Sequence, residues 1–277
     1  MRIAFTKMHG LGNDFLVMEA PAGAALPSAA QWRQLADRHS GVGFDQALVL
    51  EPPRAAGSAA HYRIFNADGG EVEQCGNGAR CIAHYLRMHG RDGVDGTVSM
   101  DGAGGPVAAR VLDDGRVAVD LGVPDFDPRS LPFTATATEA TYTLAVGGEN
   151  LEFGAVTVGN PHAVLRVTAV EGAAVERIGR ALQAHPSFPR QVNVGFMQIV
   201  DAGHIRLRVY ERGAGETLAC GTGACAAVAV GRNLGLLGAD VEVHVRGGRL
   251  GVHWQGPGQH IWLAGPTAVA YTGLADI

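Results

Sequence analysis

The chain repeats itself, and that repeat restricts its fold more than any other feature. Gly70-Glu71-x-x-x-Cys75-Gly76-x-Gly78-Ala79 recurs as Gly215-Glu216-x-x-x-Cys220-Gly221-x-Gly223-Ala224, 145 residues later in a sequence of 277. Gly12-Asn13-x-x-x-Val17 recurs as Gly159-Asn160-x-x-x-Val164 at an offset of 147, and Val42-Gly43-Phe44-x-Gln46 as Val194-Gly195-Phe196-x-Gln198 at 152. Any one such match could be chance in a chain with 40 glycines, but three in the same order at nearly constant offset point to a duplication. The length suits two domains of about 100–150 residues each.

The elements follow the same plan twice. Two short strands, from Ile3 to Lys7 and from Phe15 to Met18, bracket a polar, glycine-bent loop, His9 to Asp14. Ser28-Ala29-Ala30-Gln31 has capping-box spacing and opens a helix through Arg38. Strands follow at Ala47 to Leu50 and Tyr62 to Phe65. After Cys75 the apolar positions Ala79, Ile82, Ala83, Tyr85 and Leu86 recur with helical period, and Gly90 is a stop. Val107 to Leu112 and Val117 to Leu121 form a hairpin pattern, and the proline-rich segment Pro124 to Pro132 reads as the interdomain linker. In the second half a strand, Ala155 to Val158, runs into Gly159-Asn160-Pro161-His162, and a helix spans Ala173 to Ala184. Strands run from Val192 to Val200 and Ile205 to Tyr210; then come the second Cys-Gly-x-Gly turn, an apolar run to Leu237 and closing hairpins. The segment from Ala135 to Glu152 shows no motif.

A net charge of −5 and scattered arginines leave no basic footprint for nucleic acid, so a small-molecule partner is expected. The first residues lack a signal-peptide pattern, and no apolar run reaches the roughly 18 residues of a membrane span, which points to the cytoplasm and away from the membrane. In that compartment four cysteines argue against a disulfide framework. Cys81 and Cys225 lie within apolar helical runs and read as core. Cys75 and Cys220 sit among glycines at helix starts, where unpaired N–H groups and the helix dipole stabilise a thiolate and bind a carboxylate.

If the halves pack about a pseudo-two-fold axis, the two thiols meet one substrate from opposite faces. One thiolate then removes an α-proton and the other thiol returns one, inverting the carbon without a covalent cofactor. Other readings remain open at this point: buried inert thiols, a dithiol redox pair, or zinc. The spacings Cys75-x5-Cys81 and Cys220-x4-Cys225 do not suit a compact zinc site, so no metal is expected. Neither turn carries a nucleotide-binding glycine pattern.

The segments Lys7 to Phe15, Gly41 to Gln46, Asn66 to Gly69, Cys75 to Arg80, Gly159 to His162 and Glu211 to Gly223 together resemble the diaminopimelate epimerases over nearly the whole chain. The resemblance implies an α+β fold of two pseudo-symmetric domains, each a curved, mostly antiparallel sheet wrapped around a central helix, with the active site in the cleft between them. It implies halves at residues 1–122, completed by the tail 266–277, and 123–265. It further implies cofactor-independent conversion of LL- to meso-diaminopimelate in lysine and cell-wall precursor synthesis, with a homodimer as an assembly compatible with it. Cys75 and Cys220 would be the acid/base pair, assisted by His162 and Glu211. Asn13, Gln46, Asn66, Asn160, Asn193, Glu211 and Arg212 would hold the substrate's ammonium and carboxylate groups. Gly76, Asn77, Gly221 and Thr222 would form the backbone cradle. A proline racemase, which also pairs two cysteines, is the alternative within the chemistry, and a thiol redox protein the alternative outside it.

Overall fold

The computed structural model describes residues 2–21, 23–72, 76–93 and 95–277. The chain divides into two compact units, Met1–Val119 with Gly265–Ile277, and Asp120–Ala264. The first runs through β1 (Arg2–Gly10), β2 (Asn13–Glu19), α1 (Ala29–Ala36), β3 (Gln46–Glu51), β4 (Ala60–Asn66), β5 (Glu71–Val72), α2 (Gly76–Met88), β6 (Thr97–Gly102), β7 (Gly105–Val111) and β8 (Val117–Asp120). The second runs through β9 (Tyr142–Val146), β10 (Glu149–Thr157), β11 (Pro161–Arg166), α3 (Val175–Gln183), β12 (Asn193–Asp201), β13 (His204–Glu211), β14 (Gly215–Glu216), α4 (Gly221–Asn233), β15 (Asp240–Val245), β16 (Gly248–His253) and β17 (Trp262–Gly265). The last strand, β18 (Ala268–Asp276), belongs to the first unit.

Strand pairing repeats step for step. In the first unit β1 and β2 are antiparallel, β2 and β3 parallel across α1, β3 and β4 antiparallel, and β4 and β6 parallel across α2, before the β6–β7–β8 meander. The second unit gives β10–β11, β11–β12 across α3, β12–β13, β13–β15 across α4 and β15–β16–β17 in the same senses. The free side of the first strand is covered in both units, by β18 on β1 and by β9 on β10. One unit takes that strand from the end of the chain and the other from its own beginning. Each is an α+β unit with a mixed, mostly antiparallel sheet.

Register corrects one of the three sequence matches. Phe15 faces Gln46 across the β2–β3 pair, and His162 faces Asn193 across β11–β12, so both partners shift by 147. The counterpart of Gln46 is therefore Asn193. Gln198 lies five residues further along β12, opposite Arg206, and an odd slip would turn the strand's other face to the core.

Local chemistry accounts for the helices. The Ser28 side chain accepts from the Gln31 backbone N–H and completes the expected capping box, and Trp32 then stacks on Phe65 at 5.2 Å within a core that includes Leu35, Phe44 and Val49. The helix ends at Ala36, short of Arg38. Residues 221–231 of α4 are buried except Thr222, the pattern of a helix enclosed on all sides, and it packs against β10, β11, β12, β13 and β16. Its counterpart α2 packs against β1, β2, β6 and β7. A Cβ on Gly154 would lie 2.4 Å from Val230, so α4 lies on β10 at a distance only glycine permits.

Three expectations shift. The loop from His9 to Asp14 shrinks to a two-residue turn, Leu11 and Gly12, both at positive φ, because the flanking residues join the β1–β2 ladder. Pro124 to Pro132 is not a free linker: Asp125 bridges Thr157, and Leu131 and the adjoining Phe133 are buried in the second core beside Phe153 and Phe188. The motif-free segment holds a hairpin, β9–β10 around Gly147-Gly148, both at positive φ. Among the described residues, no helix is long and apolar enough to cross a membrane.

Candidate active site

Cys220 is the residue that precedes α4, with extended backbone. Its thiol donates to Glu211 Oε2 at 2.9 Å and lies 3.6 Å from Thr222 Oγ1. Only 5 % of Cys220 is exposed. Burial, and then the charge and hydrogen bond of Glu211, push this thiol well above its ordinary pKa, while Thr222 and the Gly223 N–H pull weakly the other way. At this helix start, burial of the thiol first and the half-buried Glu211 carboxylate second act against the thiolate that the helix N-terminus favours. Both effects favour the protonated thiol, whose hydrogen bond goes to the Glu211 carboxylate.

Glu211 ends β13, and its second oxygen accepts a hydrogen bond from Thr217 across the tight β13–β14 hairpin. The neighbouring Glu216 is occupied by Arg208, at 2.7 and 2.8 Å, so Glu211 is the carboxylate left facing the thiol. His162, on β11, is fully buried, and desolvation with the Arg212 charge pushes its pKa down to about 3. It is neutral at physiological pH. Its Nε2 lies 2.9 Å from Asn160 Oδ1 and 3.1 Å from Thr222 Oγ1, so the Nε2–H tautomer donates to them and leaves the Thr222 hydroxyl proton for Cys220. Asn193 donates to Pro161 O at 3.1 Å and accepts from the Arg212 backbone N–H at 2.8 Å, which fastens the start of β11 to the end of β13. The Arg212 guanidinium is exposed and donates to Arg190 O at 3.2 Å. Cys220, Glu211, Thr222, His162 and Asn160 form one connected chain of side chains, and Gly221 is buried in the first turn of α4.

In the first unit Cys75 lies outside the described residues. Gly76 and Asn77 begin α2, and Asn77 donates to Asn13 Oδ1 at 3.4 Å. Asn13 donates to Asp45 at 2.8 Å, and Gln46 donates to Asn66 at 2.9 Å across the β3–β4 pair. Beneath this layer Asp14 receives Lys7 at 2.6 Å and both guanidinium nitrogens of Arg38 at 2.8 Å, and Arg38 also reaches Asp45. Lys7 also donates to Gly43 O.

Sequence reasoning missed this supporting layer. Lys7, Asp14 and Asp45 stood within the quoted motifs, and Thr217 closed another, but nothing in spacing alone showed that they hold the proposed ligands. Arg38 carried no signal at all. Cys81 and Cys225 are buried, as expected of core residues. Among the described residues no group of three or more His, Cys, Asp or Glu could hold a metal ion.

Comparison with known proteins adds to this geometry. The sequence model of the family described as "Diaminopimelate epimerase" matches residues 5–126 and 154–270. A diaminopimelate epimerase of Nitrosomonas europaea is 50% identical over 277 residues, and one of Chromobacterium violaceum is 51% identical over 277 residues, each alignment covering 100% of both chains. A solved hydroxyproline epimerase from Agrobacterium vitis aligns with a TM-score of 0.69 at 18% identity, covering 99% of this chain and 92% of that one, a likeness of fold alone.

Proposed function

Because the chain belongs to the diaminopimelate epimerase family and epimerises diaminopimelate, we propose that it does so by exchanging one α-proton between two cysteines, Cys75 and Cys220. A thiolate takes the α-proton of the LL form, and the electron pair left on carbon receives a proton from the other thiol on the opposite face, giving the meso form. Each turnover leaves the two sulfurs with their protonation exchanged. This chemistry asks nothing of a cofactor, since one base and one acid complete the proton inventory.

The observation that carries the reading is the Cys220 thiol held 2.9 Å from Glu211 at the start of α4. A protonated thiol beside a carboxylate is an acid with a ready means of shedding or regaining its proton. We assign Glu211 to that role. Neutral His162 acts by holding Thr222 and Asn160 rather than by carrying charge. The N–H groups of Gly76, Asn77, Gly221 and Thr222 stabilise the charge that spreads onto the α-carboxylate. Asn13, Gln46, Asn66, Asn160 and Asn193 orient the ammonium and carboxylate groups, and the exposed, bidentate-capable Arg212 takes the distal carboxylate. The two contact units act as the two epimerase halves, with the C-terminal tail completing the first. The same reading places the enzyme in lysine and cell-wall precursor biosynthesis, in the cytoplasm, as a homodimer.

Turnover in heavy water tests the proposal. The enzyme should place deuterium at the α-carbon of diaminopimelate and leave proline unlabelled; labelled proline would favour a racemase of the same fold. Cys220→Ser and Cys75→Ser should each lower epimerisation by about 10²–10⁴-fold while the thermal unfolding profile is kept. Full activity in either variant would exclude the two-thiol mechanism.

A further inference from the structure

Arg80 has no part in the chemistry above, yet it is fully buried. It lies one turn after Asn77 on α2, and its Nη2 donates to Asn77 Oδ1 at 2.7 Å, while Nη1 lies 3.4 Å from Gly76 O. The guanidinium lies beside the end of β1, where a Cβ on Gly10 would lie 3.8 Å from Nη2.

We propose that Arg80 is a positioning residue for diaminopimelate binding, which sets the direction of the hydrogen-bond chain Arg80, Asn77, Asn13, Asp45. The inference rests on the assignment of Asn13 and Asn77 to substrate binding. An amide side chain presents a donor on one side and an acceptor on the other, and turning it over exchanges them at little steric cost. A guanidinium has only donors. Asn77 must therefore turn Oδ1 toward Arg80, which aims its Nδ2 at Asn13 Oδ1, and Asn13 in turn aims its own Nδ2 at Asp45, an acceptor. A cation at one end and a carboxylate at the other fix both amides, so that the groups left over meet the substrate in one orientation.

The second unit supports this by solving the same problem differently. At the repeat offsets, Thr222 stands for Asn77 and Asn160 for Asn13, while the Arg80 position holds buried Cys225. There the fixing group comes from the strand: His162, where the first unit has Phe15, bridges Asn160 and Thr222. In the second half the buried His162 of the strand reaches the first-turn side chain and the asparagine directly, whereas in the first half the buried Arg80 of the helix reaches the first-turn Asn77, which itself reaches Asn13.

Two substitutions separate directional control from packing. Arg80→Lys keeps a donor-only group, whereas Arg80→Gln keeps a hydrogen bond but can accept as well as donate. Steady-state kinetics with LL-diaminopimelate should show KM raised on the order of tenfold for Arg80→Gln with kcat within about twofold, and KM within about threefold of the parent for Arg80→Lys. In an Asn77→Ala background, Arg80→Gln should add nothing further. Equal behaviour of the Lys and Gln variants, additivity with Asn77→Ala, or a loss confined to kcat would overturn the proposal. An Asn77→Ala enzyme with unchanged KM would overturn it together with the binding assignment of Asn77. Should Arg80→Gln fail to fold, Arg80→Met with and without Asn77→Ala decides in its place: a KM raised on the order of tenfold in the single variant, with nothing added in the Asn77→Ala background, supports the proposal, and additivity overturns it.

Discussion

Glu211 controls the proton of Cys220 from the end of a neighbouring strand. Replacing it by Gln removes the charge but keeps the shape, so the Cys220 thiol should become more acidic while burial still holds it above an ordinary thiol. The pH dependence of alkylation by iodoacetamide should move to lower pH in Glu211→Gln, and an unmoved profile would show that burial alone sets the thiol. Asp14 shows the opposite displacement. Burial would raise its carboxyl, but hydrogen bonds and charge from Arg38 and Lys7 outweigh burial and hold it far below the usual carboxylate range. A carboxyl depressed in the folded state stabilises the protein above its unfolded pKa, about 3.9, and this contribution is lost as pH falls below that. Asp14→Asn should therefore lower stability near neutral pH and flatten its decline toward acid, as read from urea unfolding across pH.

At the scale of elements, the two central helices differ in how they are held. α4 lies close against β10 because the strand places Gly154 beneath Val230 of the helix. Gly154→Ala places a methyl where no space exists and should cost about 1–3 kcal/mol, seen as a lowered Tm, with the loss recovered in part by Val230→Ala in the same chain. In α2 the buried first turns carry Asn77 and Arg80 instead, so polar contacts share the work that apolar packing does in its twin.

For the whole molecule, the exchanged outer strand is the distinguishing feature. β18 lies along β1 from Arg2 to His9, so the first unit closes only when the last residues return to it. Ending the chain after Gly265 should strip hydrogen-exchange protection from β1 amides while those of β12 and β13 stay protected. Equal loss in both units would show that they fold as one cooperative body.

The sequence by itself determined the duplication, the two cysteine turns, the capping box at Ser28 and the apolar helices, because each is a local pattern: spacing, period or a side chain reaching its own backbone. It also placed Glu211, Arg212, Asn13, Asn66, Asn77 and Asn160 within motifs, while Asn193 lay in none. Tertiary structure alone decided which matches were true counterparts, since strand register depends on partners far along the chain, and so Asn193 rather than Gln198 stands for Gln46. It alone brought burial and Glu211 to bear on the Cys220 thiol. Helix position favours the thiolate, and burial of the thiol, joined by the approach of Glu211 from another strand, works against that preference. Arg80 stood in a motif with no role attached, and only the fold shows it buried with its guanidinium on Asn77.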